Sequence, residues 1–270
     1  DMSFNQKNFD YTTYEEYYHT TLILPRTWMI SSKTQHTPMG SDNYLLEGDE
    51  YALAIDSGMT KLDYCKYVEQ LTDLPVDGVI NTHSHFDHTG GNGYFKKVYM
   101  HPEAEAGAKR AFGGSAEGYI LDYKITPVRE GDVINLGNRE LEIIEIGAHD
   151  LSSIAILDRT YRILFSGDEL ESGWCNVGVM GTKRKGATIE NHYKNMMKLK
   201  SRWDEFDVIC PGHHGAPLDK EILNHVLICD KMILDGYEGS CDIPPKNGGG
   251  RFDPETGIRV MRYKTAHICY

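Results

Sequence analysis

Asn81-Thr82-His83-Ser84-His85-Phe86-Asp87-His88-Thr89-Gly90-Gly91 places three histidines and an aspartate within six positions. The short apolar run 78–81 just before it reads as a buried strand. Neutral imidazoles and carboxylates are the usual ligands of zinc. In extended chain, residues two apart point the same way, so His83 and His85 can grip one ion together. Asp87 and His88 fall where the chain turns and can face a neighbouring ion. Gly90 and Gly91 let backbone pass close to such a site. The competing reading is a polar loop that is rich in histidine by chance.

Three residues further along weigh against chance. His149 follows the apolar stretch 141–146, Asp168 follows 163–165 in the phrase Phe165-Ser166-Gly167-Asp168, and His213 follows 208–210 in Pro211-Gly212-His213-His214-Gly215. Each sits at the end of an expected strand. Side chains delivered by several strand ends onto one rim are how a rigid scaffold assembles a polar site. The remaining histidines, His19, His36, His101, His192, His225 and His267, read as structural or surface groups.

Hydrophobic patterning predicts strands over 21–24, 27–32, 43–47 and 51–56, separated by Pro25, Gly40-Ser41 and Gly48-Asp49. A helix is expected over 61–71, a second short strand over 97–100, and a helix from Pro102 to Arg110 because proline suits a first helical turn. A meander follows over 132–136, 139–146, 153–157 and 162–165. Residues 169–187 read as a long glycine-bearing loop. Helices over 188–202 and 218–234 flank a strand over 207–210. Residues 236–250 read as loop, and 258–261 with 265–269 as a terminal strand pair. Strands, helices, strands, helices in that order fit an α/β architecture of two sheets between helix layers better than strict βαβ alternation.

The H-x-H-x-D-H of His83, His85, Asp87 and His88, followed in order by His149, Asp168 and His213, resembles the signature of the metallo-β-lactamase superfamily. Asp56-Ser57-Gly58 after a strand is similar to that family's early Asp-x-Gly turn. The resemblance spans about residues 20–215. It implies a four-layer αββα sandwich with two mixed sheets flanked by helices, one domain over 1–270 with an N-terminal arm (1–19) and a C-terminal extension (236–270). It also implies two metal ions, zinc or alternatively iron or manganese. His83, His85 and His149 would hold the first, Asp87, His88 and His213 the second, and Asp168 would bridge them. The Gly147-Ala148-His149-Asp150-Leu151-Ser152 loop departs from the family's usual Gly-His-Thr-Pro-Gly-Ser. Asp150 there reads as a loop or supporting residue.

Two such ions bring the pKa of a shared water from ~15.7 toward ~7 and polarise a carbonyl or phosphoryl oxygen. Asp87 is the candidate to orient that water or take its proton, and Asp168 the candidate to hold the metal spacing. The implied activity is hydrolysis of a small ester, lactone or thioester by metal-bound hydroxide. Alternatives within the same superfamily are a phosphodiesterase, a β-lactam hydrolase, or a mononuclear iron oxygenase of the persulfide dioxygenase kind. Substrate choice is expected to lie in 169–187 and 32–41, with Trp174 as a candidate apolar wall. His36 and Lys183-Arg184-Lys185 are candidate contacts for a substrate anion.

Composition bounds the partners. Apolar residues make up 40% and charged residues 25% of 270, enough for a sizeable core. The net charge of −12 repels phosphate backbones and argues against nucleic acid. No run is long enough to span a membrane. A small-molecule substrate is the expected partner, with self-association left open. Six widely spaced cysteines without a C-x-x-C pair predict a reducing, cytoplasmic setting, although a removed export signal would leave no trace.

Overall fold

The computed structural model describes residues 11–33, 40–110, 116–240 and 258–270. Helix α1 (Tyr11–Tyr17) leads into β1 (Tyr18–Leu24), β2 (Thr27–Ser32), β3 (Asp42–Glu47) and β4 (Ala52–Ile55). After α2 (Tyr64–Val68) come β5 (Val76–Ile80), the one-turn α3 (Phe86–Thr89), β6 (Val98–Met100), α4 (Glu105–Ala108) and β7 (Ile125–Pro127). These seven strands form one mixed sheet in sequence order, antiparallel from β1 to β4 and parallel from β4 to β7.

The second half supplies β8 (Val133–Asn135), β9 (Glu140–Glu145), β10 (Ile154–Asp158), β11 (Ile163–Gly167), β12 (Gly173–Asn176), α5 (Ile189–Lys200), β13 (Val208–Pro211), β14 (Leu218–Asp219) and α6 (Glu221–Leu234), then β15 (Val260–Tyr263) and β16 (Ala266–Cys269). The second mixed sheet runs β14-β13-β11-β10-β9-β8.

Adjacent residues in the central strands belong to different cores. Leu46, Leu53, Ile55, Ile80, Ile143, Ile156 and Phe165 meet between the two sheets. Their chain neighbours Leu45, Ala54 and Val79 pack outward with Tyr64 and Val68 of α2. Ile144, Ala155 and Leu164 pack outward with Met196 and Leu199 of α5 and Val226 of α6. Side chains alternate across a strand, so a strand apolar at every position must be covered on both faces. That requirement produces the helix–sheet–sheet–helix layering.

Several expectations shift for identifiable reasons. Helix α2 starts only at Tyr64, because the Asp63 carboxylate caps it by accepting from Lys66 N at 2.9 Å. The 102–110 helix is a 3-10 turn at Pro102–Ala104 followed by the short α4. Leu218–Asp219 pairs with β13 as a strand instead of opening α6. Strand β7 goes beyond the sequence pattern; its Pro127 is tolerated on the sheet edge. The largest correction lies in 169–187, where β12 pairs in parallel with β16 and, with β15, forms a third small sheet. The described end of the C-terminal extension is therefore a sheet partner of the segment after Asp168, packed with α6.

Candidate metal centre

The donors ride on the ends of strands from both sheets. His83 and His85 follow β5, His149 follows β9, Asp168 follows β11 and His213 follows β13, while Asp87 and His88 lie on the turn of α3. One donor atom each from His83, His85, His149 and Asp168 lie within 4.8 Å of one another, and so do those from Asp87, His88 and His213. The structure thus brings together all seven residues singled out in the sequence, in two groups.

Ring nitrogens face each other in both groups. His85 Nδ1 lies 3.1 Å from His83 Nε2 and 3.0 Å from His149 Nε2, and His88 Nε2 lies 3.2 Å from His213 Nε2. Asp168 stands between the groups. Its Oδ2 is 3.6 Å from His83 Nε2, 3.5 Å from His149 Nε2 and 3.3 Å from His213 Nε2, and its Oδ1 is 3.4 Å from His88 Nε2. The second Asp carboxylate, Asp87 Oδ2, is 3.3 Å from His213 Nε2 and 3.4 Å from His88 Nε2.

Surrounding groups fix the tautomers. His149 Nδ1 donates to the Asn176 carbonyl at 2.9 Å, and a carbonyl can only accept. His88 Nδ1 donates to Asp56 Oδ2 at 2.9 Å. Both rings therefore aim an Nε2 lone pair at the centre when neutral. Asp168 Oδ1 is buried and accepts no hydrogen bond. Converging lone pairs and an orphaned buried carboxylate oxygen are costly alone. A divalent cation offsets both, and the N/O donor set suits zinc. Room for the cluster depends on Gly212, where an added Cβ would sit 2.2 Å from Asp168 Oδ1.

The two groups differ in charge balance. Burial, reinforced by the neighbouring imidazoles, pushes His83 well below the usual histidine range and His149 down to about 4. Burial also opposes the charged forms of His88 and His213. There the carboxylates outweigh it: Asp168, Asp87 and Asp56 raise His88, and Asp168 and Asp87 raise His213, both well above 6.5.

Three residues of consequence stand outside the sequence-derived donor set. Asp56, with a left-handed φ of 58°, accepts from Thr82 N at 2.8 Å as well as from His88. Its Asp-Ser-Gly phrase was the available signal. Glu169 and His192 carried no signal beyond their proximity to Asp168 and their place on the apolar face of α5. Asp150 is a supporting residue, accepting from Ser84 N at 3.0 Å. Trp174 lies on β12 between Gly173, which packs on the His214 ring, and Asn176, which holds His149. Lys183, Arg184 and Lys185 are exposed. Gly186 beside them lies against Leu151, two residues after His149. His36 lies outside the described residues.

Residues 36–175 match the family model of the metallo-beta-lactamase superfamily. The chain belongs to that superfamily. Among curated members, it is 32% identical over 159 residues to the acyl-coenzyme A thioesterase MBLAC2 of Gallus gallus, a match covering 48% of this chain and 57% of that protein. It is 24% identical over 201 residues to the hydroxyacylglutathione hydrolase of Prochlorococcus marinus (strain MIT 9312), covering 70% and 76%. The match to the first of these relatives spans little more than half its length. Among solved structures, a metallo-beta-lactamase family protein from Thermus thermophilus superposes with a TM-score of 0.65 at 17% identity, covering 92% of this chain and all of that one. At that identity the likeness establishes the superfamily fold. The names of these relatives are those of hydrolases, and this chain carries a His/Asp cluster suited to divalent metal. No helix among the described residues is long and apolar enough to cross a membrane.

Proposed function

We propose that this metallo-beta-lactamase superfamily member hydrolyses a small acyl thioester at a centre of two divalent metal ions, zinc by the chemistry of its donors. The observation that carries the reading is the Asp168 carboxylate, which faces donors of both groups with its two oxygens. His83, His85 and His149 would hold one ion, Asp87, His88 and His213 the other, and Asp168 both. Bound there, the pair would supply an activated water and a Lewis acid for the carbonyl oxygen. The thioester class is supported by the thioesterase and hydroxyacylglutathione hydrolase names of the relatives.

The chain's own residues do the rest. Asp87 orients the attacking water and takes its proton. Asp56 and Asn176 keep the His88 and His149 rings from turning. Trp174 forms an apolar wall beside the acyl group, and Lys183, Arg184 and Lys185 offer charge to an anionic carrier. The test is elemental analysis of the purified full chain and a substrate panel of acyl-coenzyme A and hydroxyacylglutathione thioesters, lactones, phosphodiesters and β-lactams. Two zinc per chain with thioesters turned over fastest is the expected result. One iron per chain with oxygen uptake overturns the hydrolytic reading, and faster turnover of another class overturns the thioester assignment.

A further inference from the structure

Helix α5 presents a polar edge to the two loops that carry His149 and Asp168. Asn191 and Asn195 both donate from Nδ2 to the Gly147 carbonyl, at 2.6 and 3.0 Å. Between them in the chain, His192 points into the core, fully buried. Its Nδ1 donates to the carboxylate of Asp230 on α6, at 2.8 and 3.0 Å to the two oxygens. Its Nε2 donates to the backbone carbonyl of Glu169 at 2.8 Å. A ring that donates from both nitrogens is an imidazolium. Burial alone would lower its pKa, but Asp230, then the charge and the carbonyl of Glu169, carry it up to about 9.

Glu169 then reaches the other loop. It directly follows Asp168 in the chain, and its buried carboxylate accepts from the backbone N–H of Ala148 at 2.8 Å, His149 at 3.0 Å and Asp150 at 3.2 Å. Asp150 in turn accepts from Ser84 N, between His83 and His85. A buried histidine–aspartate pair is costly to desolvate, and apolar side chains would pack at least as well.

Resting on the reading of the four-donor group as a metal site, we propose that His192 and Glu169 are positioning residues for that group. His192, held by Asp230, fixes the Glu169 backbone and hence Asp168. The Glu169 carboxylate fixes the backbone of His149 and, through Asp150, that of the His83–His85 segment. The three-donor group has no part in this chain of bonds.

The test is calorimetric titration of the metal-free full chain with zinc, in a His213→Ala background so that the four-donor group is read. Circular dichroism monitors the fold. Glu169→Gln places an amide NH2 among backbone N–H donors, and His192→Leu removes the bond to the Glu169 carbonyl. Each is expected to weaken zinc binding by about 10–100-fold, as losses of outer partners of metal ligands do. His192→Gln keeps a nitrogen donor near the Nε2 position and is expected to recover affinity to within a few-fold. A merely structural role would not produce that recovery. The inference is overturned if Glu169→Gln binds zinc as tightly as its parent, or if His192→Gln is as weak as His192→Leu. Should His192→Leu fail to fold, Glu169→Gln decides alone. A parent that takes up no zinc overturns the metal reading, and this inference with it.

Discussion

The two donor groups sit side by side yet lean on different supporting contacts. The group of His83, His85, His149 and Asp168 is braced by α5 and α6 through Glu169, Asn191, His192 and Asn195. The group of Asp87, His88 and His213 is braced by the first sheet. There Asp56 at the end of β4 grips His88, and Ser41 Oγ donates to the Asp87 carbonyl at 2.9 Å. Asp42 accepts from Gly215 N at 2.7 Å, and Tyr44 Oη donates to the Pro211 carbonyl at 2.6 Å. The electrostatics differ in the same way. Burial pushes His83 and His149 of the first group down, whereas in the second the carboxylates outweigh burial and push His88 and His213 up. Metal ligation requires deprotonated donors. The depressed imidazoles His83 and His149 favour cation uptake at the first group, whereas the raised His88 and His213 oppose it at the second.

Four experiments break or sharpen this contrast. Asp168→Asn removes the carboxylate that faces both groups. It should lower thioester turnover by roughly three orders of magnitude, about 4 kcal/mol of barrier, and bring zinc below two per chain while circular dichroism is unchanged. Full activity with two zinc would take Asp168 out of the mechanism. Asp56→Asn keeps a side chain that tolerates the left-handed backbone at 56 but loses the carboxylate on His88. Zinc affinity should fall about 10–100-fold at the second group and by less at the first, which Asp56 reaches only through Thr82 beside His83. Equal losses at both groups would erase the distinction.

The third test is pH. His192 titrates at about 9 in the folded chain against 6.5 for an ordinary histidine. Its charge thus contributes stability that is fully present below about 6.5 and is lost as pH rises through 9. The contribution is at most roughly 3 kcal/mol. Thermal melts of the metal-free chain should drop over that window, and the drop should vanish in His192→Gln. The smallest effect belongs to Tyr44→Phe, which removes one brace of the second group's loop. We expect about 1 kcal/mol of stability lost in denaturant titrations with zinc binding at the first group unaltered.

Legibility in the sequence followed the range over which each feature is decided. The His83–His88 segment was readable because its ligand spacing is local: extended backbone through His85, then one helical turn. His149, Asp168 and His213 were readable because each follows an apolar run. Strand β12 was not, since its four residues show no alternation and its partner β16 lies about ninety residues further on. The start of α6 was misplaced because Leu218–Asp219 answers to β13 rather than to helix propensity. Glu169 and His192 look like ordinary residues in the chain; their roles come from backbone groups they meet only after folding.

The sequence by itself determined the candidate donor set, the strand ends that carry it and the layered α/β plan, because side-chain periodicity and ligand chemistry are written locally. The tertiary structure decided how closely the seven residues approach one another, and which carboxylates and helices hold each group. Those are properties of distances between strand ends on two sheets, and burial sets their electrostatics. Neither quantity exists until the sheets have packed.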